Sequence, residues 1–157
     1  MKRFSWVTLL IFVVGTELVG ALSALLAGGQ FSEFYNSLQQ PPFAPPGWLF
    51  PVAWGILYAL MGISAYQVWR ADLVGSKAAL FLYAAQLAVN FLWSPVFFGL
   101  RSLPGAVAVI LALDLLVTAM IAAFLRVRRT AGLLNVPYLL WTLYATYLCI
   151  GVLRLNG

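Results

Sequence analysis

Histidine is absent from this 157-residue chain, and cysteine occurs once, at Cys149. One cysteine excludes an intrachain disulfide, and a zinc or haem-ligating cluster has almost no ligands from which to be built. A Ser-His-Asp set is impossible without histidine, and the sequence has neither a phosphate-cradling glycine loop nor a metal-ligand cluster. We therefore predict no catalytic residue, no metal site and no required cofactor.

Charged residues are also scarce, at 8% of the chain against 64% hydrophobic residues. A soluble domain averages about 25% charged and about 45–50% apolar residues, so this chain lacks the polar coat that a soluble fold needs. We predict that a lipid bilayer solvates most of its surface. The net charge of +5 does not indicate a nucleic-acid site. The basic residues lie between apolar segments, where they act as topology signals.

Five apolar segments are each long enough to cross a bilayer, which takes about 20 residues. They cover about residues 5–27, 51–69, 77–98, 103–125 and 131–153. Because the later connections are short, consecutive helices should be antiparallel. We predict one all-α domain over residues 1–157, a polytopic bundle of five transmembrane helices. The first connection is long and rich in proline, and loops of this kind tend to be functional.

Lysine and arginine are distributed unevenly between the two ends of this predicted bundle. With a cytoplasmic N-terminus, that side holds seven basic residues and the opposite side holds two. The positive-inside rule therefore predicts that the N-terminus is cytoplasmic and that the proline-rich loop lies outside. The cytoplasmic set is Lys2, Arg3, Arg70, Lys77, Arg126, Arg128 and Arg129.

Polar and aromatic residues form three stripes at helical spacing within the predicted spans. Burying an unpaired polar group in hydrocarbon costs several kcal/mol, so these stripes should face the bundle interior. Facing rings and a few polar groups indicate a cavity suited to a flat, largely apolar ligand. The stripes are Trp54, Tyr58 and Met61 on the second span, Gln86, Asn90 and Trp93 on the third, and Tyr138, Trp141 and Ala145 on the fifth.

The chemistry of several residues leaves alternatives open. Asn90 fits ligand contact and fits equally a hydrogen bond to a neighbouring helix, which is typically worth about 0.6 kcal/mol. Glu17 and Asp114 have no obvious basic partner within the bilayer. Each fits a proton or ion site, or a protonated acid bonded to a neighbour. Small-residue spacings on the first and third spans fit either close packing within the bundle or a homodimer seam.

Three sequence blocks together resemble the TspO/MBR family of tryptophan-rich sensory proteins and translocator proteins. The first contains FYNSL at 34–38, PPGW at 45–48 and FPVAW at 50–54. The second is AQLAVNFLWSPVFFG at 85–99, and the third contains VPYLLW at 136–141 with ATYL at 145–148. The blocks follow the order of the family across nearly the whole chain, which makes the combination specific.

The resemblance implies a five-helix bundle, often dimeric, with a pocket open toward the first loop. Family members bind porphyrins such as protoporphyrin IX and synthetic benzodiazepine- or isoquinoline-type ligands. The resemblance thus implies a porphyrin-binding membrane sensor, receptor or transporter, which we expect in a bacterial cell membrane. By motif position, Trp54, Asn90 and Trp141 match pocket residues, with Trp93 and Tyr138 nearby. The candidate ligand-binding set is completed by Tyr58, Gln86 and Phe34.

Departures from the family pattern limit what the resemblance implies. Some bacterial members degrade porphyrin in light, with tryptophan implicated at the position of Phe34. Phenylalanine is harder to oxidise than an indole, so this departure disfavours such an activity here. Two alternatives to a receptor remain, a light-dependent porphyrin-degrading enzyme and a membrane assembly partner with a vestigial pocket. We expect no cholesterol site, because six residues separate Tyr147 from Arg154 and the motif requires a short gap.

Overall fold

The computed structural model of the chain describes residues 1–28 and 31–157, with the side chains of residues 1–28 and 33–157. Within these ranges the secondary structure is helical, without a strand. Five helices are long and apolar enough to cross a bilayer, which confirms the predicted all-α bundle of five spans. The helices are α1 Trp6–Leu26, α2 Phe31–Ser37, α3 Leu49–Ala71, α4 Ser76–Ser94, α5 Leu103–Val127, α6 Arg129–Leu133 and α7 Val136–Asn156.

Side-chain caps and prolines set the ends of several helices. The Ser5 hydroxyl accepts a hydrogen bond from the Thr8 amide at 3.2 Å and so caps α1. Ser102 caps α5 in the same way, accepting from the Gly105 amide at 3.1 Å. A five-residue π-helix, Pro95–Gly99, continues α4 toward the loop end of the bundle. This wider turn brings Phe97 and Phe98 into the core beside the last turn of α4.

Helix α5 carries the most completely buried face of the bundle. Its inward residues recur at spacings of three and four, as one face of a helix requires, and all are 0% exposed. The helix packs between α4 and α7, while α1 packs mainly against α3. The core of the bundle is therefore displaced toward α5, and α1 lies at its edge. The buried face of α5 comprises Ala106, Ile110, Leu113, Val117, Met120 and Phe124.

The segment between α2 and α3 is held against α7 by hydrogen bonds to its carbonyl groups. The Tyr147 hydroxyl donates to the Pro42 carbonyl at 2.6 Å, and the Tyr144 hydroxyl donates to the Phe43 carbonyl. From α2, the Tyr35 hydroxyl donates to the Pro45 carbonyl at 2.5 Å. Burial raises the pKa of the Tyr35 phenol, so the phenol stays protonated and remains a donor at neutral pH.

Candidate functional site

A cavity of about 430 Å³ lies between α1, α3 and α4. Its volume falls within the range of small-molecule sites, which are about 300–1,000 Å³. It extends from the loop end of the bundle, at Ala27 and Phe50, to the middle of α1, at Glu17. The lining residues are Glu17, Gly20, Ala21, Ala24, Ala27, Phe50, Pro51, Trp54, Gly55, Tyr58, Asn90, Trp93, Ser94 and Phe98.

The cavity exists because a face of small residues on α1 lies opposite large rings on α3 and α4. Gly20, Ala21, Ala24 and Ala27 recur at helical spacing and contribute almost no side-chain volume. A Cβ atom at Gly20 would lie 2.2 Å from Cε2 of Tyr58, so only glycine admits that ring beside α1. The small-residue face and the opposing rings leave a cavity with a mostly apolar lining.

Stacked rings form the α3 wall of this slot. The Trp54 and Tyr58 rings stack with centroids 5.4 Å apart and planes 26° from parallel. On the α4 side, Trp93 stacks on Phe97 at 5.1 Å and 11°. Both arrangements use ring faces in offset geometries that aromatic pairs prefer. The walls are therefore ordered before any ligand binds, which lowers the entropic cost of binding.

A chain of buried hydrogen bonds lies behind the α4 wall and joins α3, α4 and α7. The Tyr58 hydroxyl donates to Asn90 Oδ1 at 2.6 Å, and Asn90 Nδ2 donates to the Tyr138 hydroxyl oxygen at 2.7 Å. The Tyr138 hydroxyl then donates to Gln86 Oε1 at 2.7 Å. Asn90 thus lines the cavity and also links three helices, so its two interpretations are compatible. The chain fixes the Asn90 amide in one orientation toward the cavity.

Four of the eight candidate residues line the cavity, namely Trp54, Tyr58, Asn90 and Trp93. The other four lie around it. Two of them, Tyr138 and Gln86, are 1% and 0% exposed and form the hydrogen-bond chain behind Asn90.

Trp141 and Phe34 contact the lining from outside. The Trp141 ring meets Trp54 edge-on at 6.4 Å and Phe50 at 5.8 Å. Its buried Nε1 has no hydrogen-bond partner among the described residues, so it could donate to a ligand that reaches past Trp54. The Phe34 ring contacts the ring of the lining residue Phe98 edge-on at 6.1 Å and does not itself line the cavity.

The residues of the α1 wall were not placed at the cavity by the sequence analysis. We expected the small residues of the first span to serve close packing or a homodimer seam, and the cavity to be lined by the second, third and fifth spans. The structure places Gly20 and Ala24 on the cavity, on the same face of α1 as Glu17. The spacing of these three residues was the available signal, because it puts an intramembrane acid and a small-residue groove on one helix face.

The two intramembrane acids have different surroundings. Asp114 on α5 accepts a hydrogen bond from the Thr146 hydroxyl of α7 at 2.5 Å and does not line the cavity. Glu17 lines the cavity, and no hydrogen bond joins its carboxyl to another described residue. Within the described residues, no three His, Cys, Asp or Glu side chains are grouped to hold a metal ion.

Comparison with known proteins matches residues 8–155 to the TspO/MBR family. A tryptophan-rich sensory protein of Cereibacter sphaeroides is 43% identical over 154 residues, which is 98% of this chain and 94% of the relative. Protein CrtK of Rhodobacter capsulatus is 42% identical over 93% of this chain and 91% of its own length. The translocator protein of Bos taurus is 39% identical over 89% of this chain and 85% of its own length.

Proposed function

Since the chain belongs to the TspO/MBR family, we propose that it is a membrane sensor, receptor or transporter that binds porphyrins in the cavity between α1, α3 and α4. The ligand class follows from the family resemblance, which implies protoporphyrin IX or related tetrapyrroles. Benzodiazepine- and isoquinoline-type molecules share the flat, largely apolar shape and would use the same slot.

The observation that carries this proposal is the pairing of a small-residue helix face with stacked rings. A macrocycle needs a slot that is wide in two dimensions and narrow in the third. We infer that the small-residue face of α1 and the rings of α3 bound such a slot, since Ala24 and Trp54 both line the cavity. Burial of an apolar ring system contributes about 25 cal/mol per Å² of area removed from water. Because the lining is mostly apolar and aromatic, this term favours binding without any specific polar contact.

Each candidate residue has a role in this proposal. Trp54, Tyr58 and Trp93 present ring faces to the ligand, and Asn90 presents its amide, positioned by the hydrogen-bond chain. Trp141 supports the Trp54 ring and offers an indole N–H to a ligand acceptor. The remaining three residues do not touch the ligand and support the lining residues; they are Tyr138, Gln86 and Phe34.

The membrane setting of the proposal follows from charge and family. We propose a bacterial cell membrane, with the N-terminus cytoplasmic and the loop end of the cavity facing the opposite side. A homodimer is also proposed, from the resemblance. Helix α4 offers a seam for it, because Ala84 and Ala88 are both exposed and four residues apart.

A titration of the purified protein with protoporphyrin IX tests the proposed function. Bound porphyrin should quench tryptophan fluorescence in a saturable way. Trp54→Leu should weaken binding at least about tenfold, because it removes a stacking face worth about 1.4 kcal/mol or more. Trp6→Leu is the matched control, since Trp6 is 69% exposed and far from the lining. Absence of saturable quenching in the wild type would refute the function, and equal affinities in both variants would refute the site.

A further inference from the structure

Glu17 is the one charged side chain in the cavity lining. It lies near the middle of α1, and the lining residues next along this face are Gly20 and Ala21. The lining includes no lysine or arginine. A ligand in this cavity therefore meets a single formal charge from the protein, and that charge is negative when the carboxyl is ionised.

No group of the protein compensates this carboxyl in the part of the chain that the structure describes. The ion pair found there joins Lys2 to Asp72 at 3.7 Å, at the end of the bundle away from the loop. Asp114, by contrast, accepts a hydrogen bond from the Thr146 hydroxyl through its Oδ2 atom. An intramembrane acid without a partner is costly and is typically found where a substrate or an ion is handled. Glu17 has the exposure to the cavity that such a role requires.

The aromatic lining adds a second attraction for positive charge. Cations bind over the faces of tryptophan and tyrosine, and the attraction grows to about 2 kcal/mol or more when the site is desolvated. Trp54 and Tyr58 both line the cavity together with Glu17. A carboxylate beside electron-rich ring faces in a low-dielectric slot favours a cation and opposes an anion.

We propose that the cavity selects flat aromatic ligands that carry a protonated amine, with Glu17 as the partner of the ammonium group. This inference rests on the proposed function, because it assumes that the same cavity is a ligand site. The aromatic part of the ligand occupies the slot between Ala24 and Trp54, and the ammonium group lies at the Glu17 end. Carboxylates of a porphyrin then stay at the loop end, away from Glu17.

Three pyrene probes test this charge selection, with ring size held constant. They are 1-pyrenemethylamine, 1-pyrenemethanol and 1-pyrenecarboxylic acid, each titrated at pH 7 into wild type and Glu17→Gln with energy transfer from tryptophan to pyrene as the signal. The wild type should bind the amine at least tenfold more tightly than the alcohol, and the acid most weakly. Glu17→Gln keeps the shape of the side chain and should lower the preference for amine over alcohol at least fivefold, by weakening amine binding while alcohol binding stays unchanged, and should strengthen binding of the acid.

Asp114→Asn is the matched control, because it removes an intramembrane acid outside the cavity and should keep the wild-type preference. Comparing variants in one detergent cancels the preference of the micelle itself for charged probes. Equal affinities of the wild type for the amine and the alcohol would overturn the inference. An equal loss of affinity for both probes in Glu17→Gln would also overturn it. Protoporphyrin IX is titrated into the same samples. Saturable porphyrin binding without amine preference refutes only the role of Glu17, whereas failure of every titration refutes the proposed function as well.

Discussion

Helices α1 and α5 are both strongly apolar spans, yet they pack into the bundle in opposite ways. The inward face of α5 is 0% exposed at six positions, with large side chains such as Phe124 and Met120 filling the interior. Helix α1 buries only Thr16 and Ser23 and presents small residues over much of its remaining inward face. In a bilayer, lipid tails are as apolar as the core, so helix association depends on close packing rather than on hydrophobicity. The α5 side is therefore closely packed, whereas the α1 side leaves a cavity.

Truncating the α5 face should give the largest loss of stability. Phe124→Ala removes a fully buried ring, a change that costs about 3–5 kcal/mol in soluble cores. The transfer part of this cost is smaller when lipid is the alternative solvent, so we expect a loss of about 3 kcal/mol. The free energy of unfolding, measured by titration with sodium dodecyl sulfate in mixed micelles, gives the value. Leu115→Ala is the control on the same helix, 75% exposed, and should change stability little.

Gly62 lies where α3 packs closely against the backbone of α1, and its substitution should give the second largest loss of stability. A Cβ at Gly62 would lie 2.6 Å from Cα of Val13, so Gly62→Ala must push α1 away. We expect a loss of about 2 kcal/mol, as overpacking typically costs about 1–3. A Cβ at Gly55, on the cavity, meets nothing within 4 Å. Gly55→Ala should therefore be neutral or stabilising, because alanine favours helix by about 1 kcal/mol. Equal melting temperatures for Gly62→Ala and Gly55→Ala would contradict this difference between the packed contact and the cavity.

Breaking the hydrogen-bond chain that joins α3, α4 and α7 should reduce stability less than the two changes above. Tyr138→Phe removes the hydroxyl that joins Asn90 to Gln86 and leaves two buried polar atoms unpaired. We expect a loss of about 1 kcal/mol and weaker porphyrin binding, because the Asn90 amide then keeps only its hydrogen bond from Tyr58. Tyr147→Phe removes an exposed hydroxyl bonded to Pro42 and should cost less than about 0.5 kcal/mol. A porphyrin affinity unchanged by Tyr138→Phe would show that the chain is structural only.

The five spans were predictable because hydropathy and length are local properties that the bilayer enforces on each segment. Three residues of the cavity lining were also predictable, since Trp54, Asn90 and Trp93 follow helical spacing and motif position. The α1 wall was not predictable in this way. Periodicity indicates which face of a helix turns inward, but it does not indicate which pair of helices leaves a cavity between them. Ala24 has no chemical signal of its own, and its role depends on the ring opposite. Trp141 shows the converse, as a conspicuous residue that supports the lining from outside.

The most direct test of the central claim is the affinity of Ala24→Leu for protoporphyrin IX. This substitution places three more carbon atoms in the slot opposite Trp54 and leaves the α5 face untouched. The account predicts binding at least tenfold weaker than wild type, with a free energy of unfolding equal or slightly higher. Leu22→Phe, an enlargement on the lipid-facing side of α1 at a residue 52% exposed, should bind as wild type does. Wild-type affinity in Ala24→Leu would contradict the claim that the small-residue face of α1 forms the ligand site.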